Sequence, residues 1–154
     1  MKPKEKHIIL NILLADDDKD DRFFFKEALE ELPIATHFKS VNDGERLINY
    51  LSANSEQLPD VLFLDLNMPR KNGHECLIEI KSNKKLQKLP VVIYSTSLDD
   101  QIADILYKIG AYYYIRKTDL TELRKTLNYI LTKIVGKKFE QPSRDKFILS
   151  LQEV

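Results

Sequence analysis

The chain has one cysteine, Cys76, in 154 residues, no excess charge of either sign, and no long apolar run. A single thiol cannot close an intramolecular disulfide or build a cysteine-rich metal site, and it suits a reducing compartment, so a cytoplasmic protein is expected. Lys plus Arg equals Asp plus Glu at 24 each, which removes any general attraction to nucleic acid or to an anionic membrane surface. His7, His37 and His74 are scattered without the spacing of metal ligands and read as surface or loop residues. No stretch is long enough to span a bilayer. The amino terminus, MKPKEKHIILNILLADDD, is basic and then apolar, but it leads straight into acids with no small-residue cleavage site, so it reads as a first strand and not as a signal peptide. Repeats and low-complexity segments are also missing. What remains is an ordinary globular balance, 43% hydrophobic and 31% charged, in a length that fits one domain with a sizeable core.

Apolar segments punctuate the chain at regular intervals. Residues 8–14 read as a buried strand, and Asp16, Asp17, Asp18, Asp20 and Asp21 follow at once. Residues 20–32 read as a helix with acids in its first turn, Phe24, Ala28 and Leu32 along one face, Phe23 and Phe25 widening that face, and Pro33 as its stop. Residues 34–41 form a weaker strand candidate, and Asn42-Asp43-Gly44 turns into a helix over 45–51. The third strand is Val61 to Asp65, followed by a loop over 67–72 and a helix over 73–83 with a modest apolar face from Leu77 and Ile80. A fourth strand, 91–94, is rich in β-branched residues and ends in the hydroxyl run Ser95, Thr96, Ser97. Asp99 or Asp100 starts the next helix, with Ile102, Ile105, Leu106 and Ile109 expected on its inner face and Gly110 as its stop. The fifth strand, 112–115, runs into Arg116 and Lys117, and Thr118 or Asp119 caps a long helix with Leu120, Leu123, Leu127, Ile130, Leu131 and Ile134 at helical spacing.

Five strand–helix alternations with short connections predict an α/β fold: a doubly wound five-stranded parallel sheet, flavodoxin-like order 2-1-3-4-5, with helices on both faces. Residues 1–136 account for that domain. The tail, 137–154, is polar and basic and then apolar around 147–151, too short for a separate output domain.

Reactive residue types gather at the predicted strand ends: Asp16 and Asp17 after the first, Asp65 after the third, Ser95 after the fourth and Lys117 after the fifth. The carboxyl ends of parallel strands share one edge, where open α/β sheets bind ligands. Clustered carboxylates repel one another and favour a hard divalent cation, most plausibly Mg²⁺. An aspartate beside such a cation is also a nucleophile toward phosphorus, with the Ser95 hydroxyl and Lys117 ammonium placed to bind the other phosphoryl oxygens.

These segments resemble the response-regulator receiver domain of two-component signalling. The resemblance rests on LLADDD, on DLNMPRKNG with Gly73 eight residues after Asp65, on VVIYSTS with Ser95, and on GAYYYIRK with Lys117. It implies that Asp65 accepts a phosphoryl group and that Asp16, Asp17, Asp65 and the backbone carbonyl of Asn67 bind Mg²⁺. Ser95 would be the switch hydroxyl, Lys117 the phosphate-sensing cation and Tyr114 the aromatic switch residue. The family usually has proline after the lysine, often with a cis bond, and Thr118 stands there in this chain. The expected function is a phosphorelay switch that is no enzyme beyond its own phosphorylation and dephosphorylation. A sensor histidine kinase or histidine phosphotransfer protein would supply the phosphoryl group, and a downstream protein would read the face carrying Tyr107, Tyr112, Tyr114 and the last helix. No nucleic acid and no membrane insertion are expected, and the assembly is expected to be a monomer or weak dimer.

Two other readings stand beside this one. A constitutive interaction module would keep the fold without needing phosphate, and the intact acids, Ser95 and Lys117 count against it. A metal-dependent phosphatase would usually carry a second acid two residues after its nucleophile as general acid, and Asn67 occupies that position.

Overall fold

Strand β3 (Val61–Asp65) is apolar on both faces until its last residue and is buried throughout, as a central parallel strand covered on both sides requires. The computed structural model describes residues 8–151; His7 and the last three tail residues lie outside the described residues. Around β3 the chain alternates strand and helix: β1 (Leu10–Ala15), α1 (Lys19–Glu30), β2 (Thr36–Val41), α2 (Gly44–Ala53), α3 (Gly73–Ser82), β4 (Val91–Ser95), α4 (Asp100–Ile109), β5 (Tyr113–Arg116) and α5 (Leu120–Val135). All strand pairs are parallel, in the order β2-β1-β3-β4-β5. The expected doubly wound sheet is therefore the observed one.

The period-2 alternation of the strands divides the core in two. Leu62 and Leu64 of β3 join Leu13, Ile93 and Tyr114 under α2, α3 and α4. Val61 and Phe63 join Ile12, Leu14, Val92 and Ile115 under α1 and α5. Each long helix starts on an aspartate or asparagine whose side chain accepts backbone N–H bonds of the first turn: Asp18, Asp43, Asn72, Asp99 and Asp119. Asn72 and Glu75 close a reciprocal capping box at α3.

Two helix faces differ from expectation. On α1 the buried residues are Phe25, Ala28 and Leu29, while Phe23 and Phe24 are 58% and 50% exposed. On α4 the buried residues are Ala103 and Leu106, and Ile102 and Ile105 are exposed. Both helices are rotated relative to the predicted stripe, because a run of adjacent apolar residues satisfies several helical registers and the sheet picks one.

Residues 137–151 turn back onto the domain. After a 3₁₀ turn at Arg144–Lys146, Phe147 is fully buried and Ile148 pairs in parallel with Tyr114 of β5. The Tyr114 N–H donates to Phe147 O at 3.0 Å and the Leu149 N–H donates to Tyr114 O at 3.1 Å. The tail thus lies along the otherwise open edge of β5. It covers the predicted reading face: Tyr107 packs edge-on to Phe147, Tyr112 lies against Phe139, and the Tyr107 hydroxyl donates to Pro142 O at 2.7 Å.

Candidate functional site at the carboxyl edge of the sheet

Register builds the site. Ala15 is paired with Leu64, so the next residues, Asp16 and Asp65, emerge side by side, and Asp65 itself is paired with Tyr94 at the end of β4. Asp16 is fully buried and Asp65 is 3% exposed, whereas Asp17 is open to solvent. One carboxylate oxygen from each of Asp16, Asp17 and Asp65 lies within 4.8 Å of the others. The loop after Asp65 is held close by Gly73, where a Cβ would fall 2.2 Å from Asp65 O, so only glycine lets α3 start against the end of β3.

Lys117 enters from β5. Its ammonium lies 2.9 Å from Asp16 Oδ2, 2.8 Å from Asp21 Oδ2 and 3.4 Å from Asp65 Oδ2, and 5.3 Å from the ring centre of Tyr94. No cis peptide bond occurs among the described residues, so the Lys117–Thr118 bond is trans, and Lys117 still points at the acids. Its backbone N–H donates to Ser95 O at 2.7 Å, which ties the ends of β4 and β5 together. Ser95 is 2% exposed at the end of β4. Asn67 sits in the exposed loop, and its backbone N–H donates to Asp65 Oδ1 at 3.2 Å. Tyr114 stands apart from this cluster in the α2–α3–α4 side of the core, with its hydroxyl donating to Ser97 O at 3.0 Å.

The electrostatics follow from burial. Burial pushes the Asp65 carboxyl up to about 6, and the neighbouring Asp16 adds to the rise, against the pull of Lys117 and the Asn67 N–H. Burial also raises Asp16, against the Asp18 N–H, which donates at 2.9 Å, and Lys117. Burial alone would lower Lys117, but Asp21, Asp16 and Asp65 outweigh it and hold the ammonium above its ordinary value. Asp16 Oδ2 has the Lys117 charge nearby yet no hydrogen-bond donor aimed at it. A buried carboxylate oxygen without a donor, in a set of three converging carboxylates, is the donor arrangement that a hard divalent cation satisfies.

Of the residues named from sequence, Asp16, Asp17, Asp65 and Lys117 thus converge, Ser95 and Asn67 lie beside them through backbone hydrogen bonds, and Tyr114 stands apart. Asp21, which the sequence shows only as one of the acids in the first turn of α1, also faces Lys117. Its inward position had a signal: it lies four residues before Phe25, hence on the buried face of α1 once that face is fixed.

The response regulator receiver domain family matches residues 12–128. The chain belongs to that family. Receiver domains are the response-regulator modules of two-component signalling, and the fold described above is theirs. Among relatives, response regulator Rcp1 of Synechocystis is 32% identical over 124 residues, 77% of this chain and 84% of that protein. The phosphorylated cyanobacterial phytochrome response regulator RcpA superposes with a TM-score of 0.76 at 32% identity, over 84% of this chain and 96% of RcpA. Rcp1 with bound Mn²⁺ superposes with a TM-score of 0.72 at 29% identity, over 87% of this chain and 99% of Rcp1. Among the described residues of this receiver domain, no helix is long and apolar enough to cross a membrane.

Proposed function

We propose that this receiver domain is a cytoplasmic phosphorelay switch that takes a phosphoryl group on Asp65 from a phosphohistidine of a sensor kinase or phosphotransfer protein. The observation that carries the reading is the placement of one buried carboxylate, Asp65, against both an acid cluster and a lysine ammonium. In the transfer, an Asp65 carboxylate oxygen forms a bond to phosphorus as the P–N bond of the donor breaks. The electron pair leaves on the imidazole nitrogen, which takes up a proton. Lys117 and the Ser95 hydroxyl bind the phosphoryl oxygens.

Asp16, Asp17, Asp65 and the Asn67 carbonyl would hold Mg²⁺, which when bound neutralises the phosphoryl charge beside the carboxylates. The phosphorylated state of RcpA and the Mn²⁺ held by Rcp1 support both parts of this reading. The output is binding to a downstream protein, with Ser95 and Tyr114 moving together as the switch pair. On this reading the chain gains and loses only its own phosphoryl group, and Asn67, two residues after Asp65, is no general acid for ordinary phosphatase work.

Incubation with acetyl phosphate and Mg²⁺ tests the assignment. Intact mass is expected to rise by one phosphoryl group in the wild type and to stay unchanged in Asp65→Asn. Equal labelling of the two proteins contradicts the role of Asp65.

A further inference from the structure

The tail contacts single out one residue, Tyr114, that belongs to two structures at once. Its backbone N–H and C=O hold the tail strand, and its ring lies against Phe147 with centroids 6.1 Å apart. Its hydroxyl is bonded to Ser97 O, two residues past Ser95. Leu149, Ser150 and Leu151 share a cavity of about 170 Å³ with Leu98 and Thr118. Those two residues belong to the loops that leave Ser95 and Lys117. The tail strand therefore runs along β5 toward the acidic edge of the sheet, and residues 149–151 lie beside the segments that follow Ser95 and Lys117.

Between Phe147 and the end of α5 the tail is held by Phe139, whose ring packs on Tyr112 and Tyr113, and by polar groups. Gln141 Nε2 donates to Tyr107 O at 2.9 Å and Ala111 O at 2.8 Å, and Arg144 Nε pairs with Asp104 Oδ1 at 2.7 Å. These polar anchors are exposed or half-buried, so their opening costs the domain little and weakens the hold on the strand.

We propose that residues 139–151 are an intramolecular gate: they occupy the β5 edge and the Tyr107–Tyr112–Tyr114 face in the unphosphorylated protein, and undock when Asp65 is phosphorylated. The inference rests on the phosphoryl-acceptor reading of Asp65. Movement of Ser95 and Lys117 toward the phosphoryl group displaces Ser97 O and the end of β5 with them, since Lys117 N–H is bonded to Ser95 O. Tyr114 then loses its hydroxyl partner, and the Phe147 seat between Tyr107 and Tyr114 is reshaped. The uncovered face presents an open strand edge beside a row of tyrosines, a surface suited to an extended segment of a protein partner that adds as a strand and inserts an apolar anchor.

Linkage makes the gate testable from both ends, because activation that releases the tail must be favoured by loosening the tail. The full chain is compared with the double variant Q141A/R144A, which leaves the core and the acidic site untouched. Amide hydrogen exchange is measured at Leu149 and Asn67, with and without beryllofluoride and Mg²⁺. Beryllofluoride is expected to change exchange at Asn67 and to lower Leu149 protection about fivefold or more. The double variant is expected to lose Leu149 protection without beryllofluoride and to bind it more tightly by about the same factor. A response at Asn67 with unchanged Leu149 protection overturns the gate and leaves the Asp65 reading intact. No response at Asn67 overturns the Asp65 reading and the coupling with it. Loss of Leu149 protection that depends on protein concentration would mean that the tail pairs with a second copy, and it overturns the intramolecular gate.

Discussion

Lys117 is the residue on which the site balances. Its ammonium faces three carboxylates, and the shortest approach is to Asp21, the one that does not join the Asp16, Asp17, Asp65 cluster. Asp21 therefore holds the lysine partly away from Asp65, where a charge contact at 3.4 Å is weaker than one at 2.8 Å. Replacing Asp21 by asparagine keeps the shape of α1 and removes the competing charge. The expected outcome is that Lys117 shifts toward Asp65 and the Asp65 carboxyl falls from about 6 toward its ordinary 3.8. Carbon-13 carboxyl titration in metal-free buffer reads this directly. An unchanged Asp65 titration would mean that Asp21 does not set the lysine position. Cys76 provides the contrast: its burial pushes the thiol up to about 12, so it stays protonated at neutral pH and takes no part in the chemistry.

At the scale of elements, α1 offers the sharpest test because Phe23, Phe24 and Phe25 are adjacent and only one of them is in the core. Phe25 is fully buried against Phe38, Phe63 and Tyr94, whereas Phe23 and Phe24 touch edge-on in solvent. Phe25→Ala is expected to cost about 3–5 kcal/mol of unfolding free energy, and Phe24→Ala about 0.5 kcal/mol or less. Urea melts of the two variants check the register, and equal losses would contradict it. The same helix shows where sequence reading stops. Strand β3, Asp65 and the order of elements were readable because a buried parallel strand leaves a continuous apolar run that ends abruptly. The azimuth of α1 and α4 was not, since Phe23 to Phe25 and Ile102 to Ile109 fit more than one stripe and only contact with the sheet decides between them. Asp21 was lost with that azimuth. The seat of Phe147 was equally out of reach, because pairing between the tail and β5 is a long-range contact that no local period encodes.

For the whole molecule, the acidic edge makes stability depend on proton and metal in opposite senses. Asp65 has a folded pKa of about 6, above its ordinary 3.8, and Asp16 is raised as well. A raised carboxyl binds its proton more tightly in the fold than in the unfolded chain, so its stabilising contribution is complete below the unfolded value and is lost as pH rises through about 6. In chelated buffer the melting temperature is therefore expected to fall between about pH 5 and about pH 7.5, with Asp65 contributing about 1.4 kcal/mol to the loss, one pKa unit separating pH 5 from its folded value of about 6. Asp65→Asn removes that contribution and flattens the profile. A divalent cation binds the deprotonated carboxylates, so its effect runs the other way, and saturation at about 100 times the dissociation constant adds about 2.7 kcal/mol. Magnesium is accordingly expected to raise the melting temperature more near pH 7.5 than near pH 5, where a proton on Asp65 competes with it and lowers its apparent affinity about tenfold. Differential scanning calorimetry over that range, with chelator and with Mg²⁺, gives both curves. Equal Mg²⁺ stabilisation at the two pH values would mean that the ion binds elsewhere than at Asp16 and Asp65.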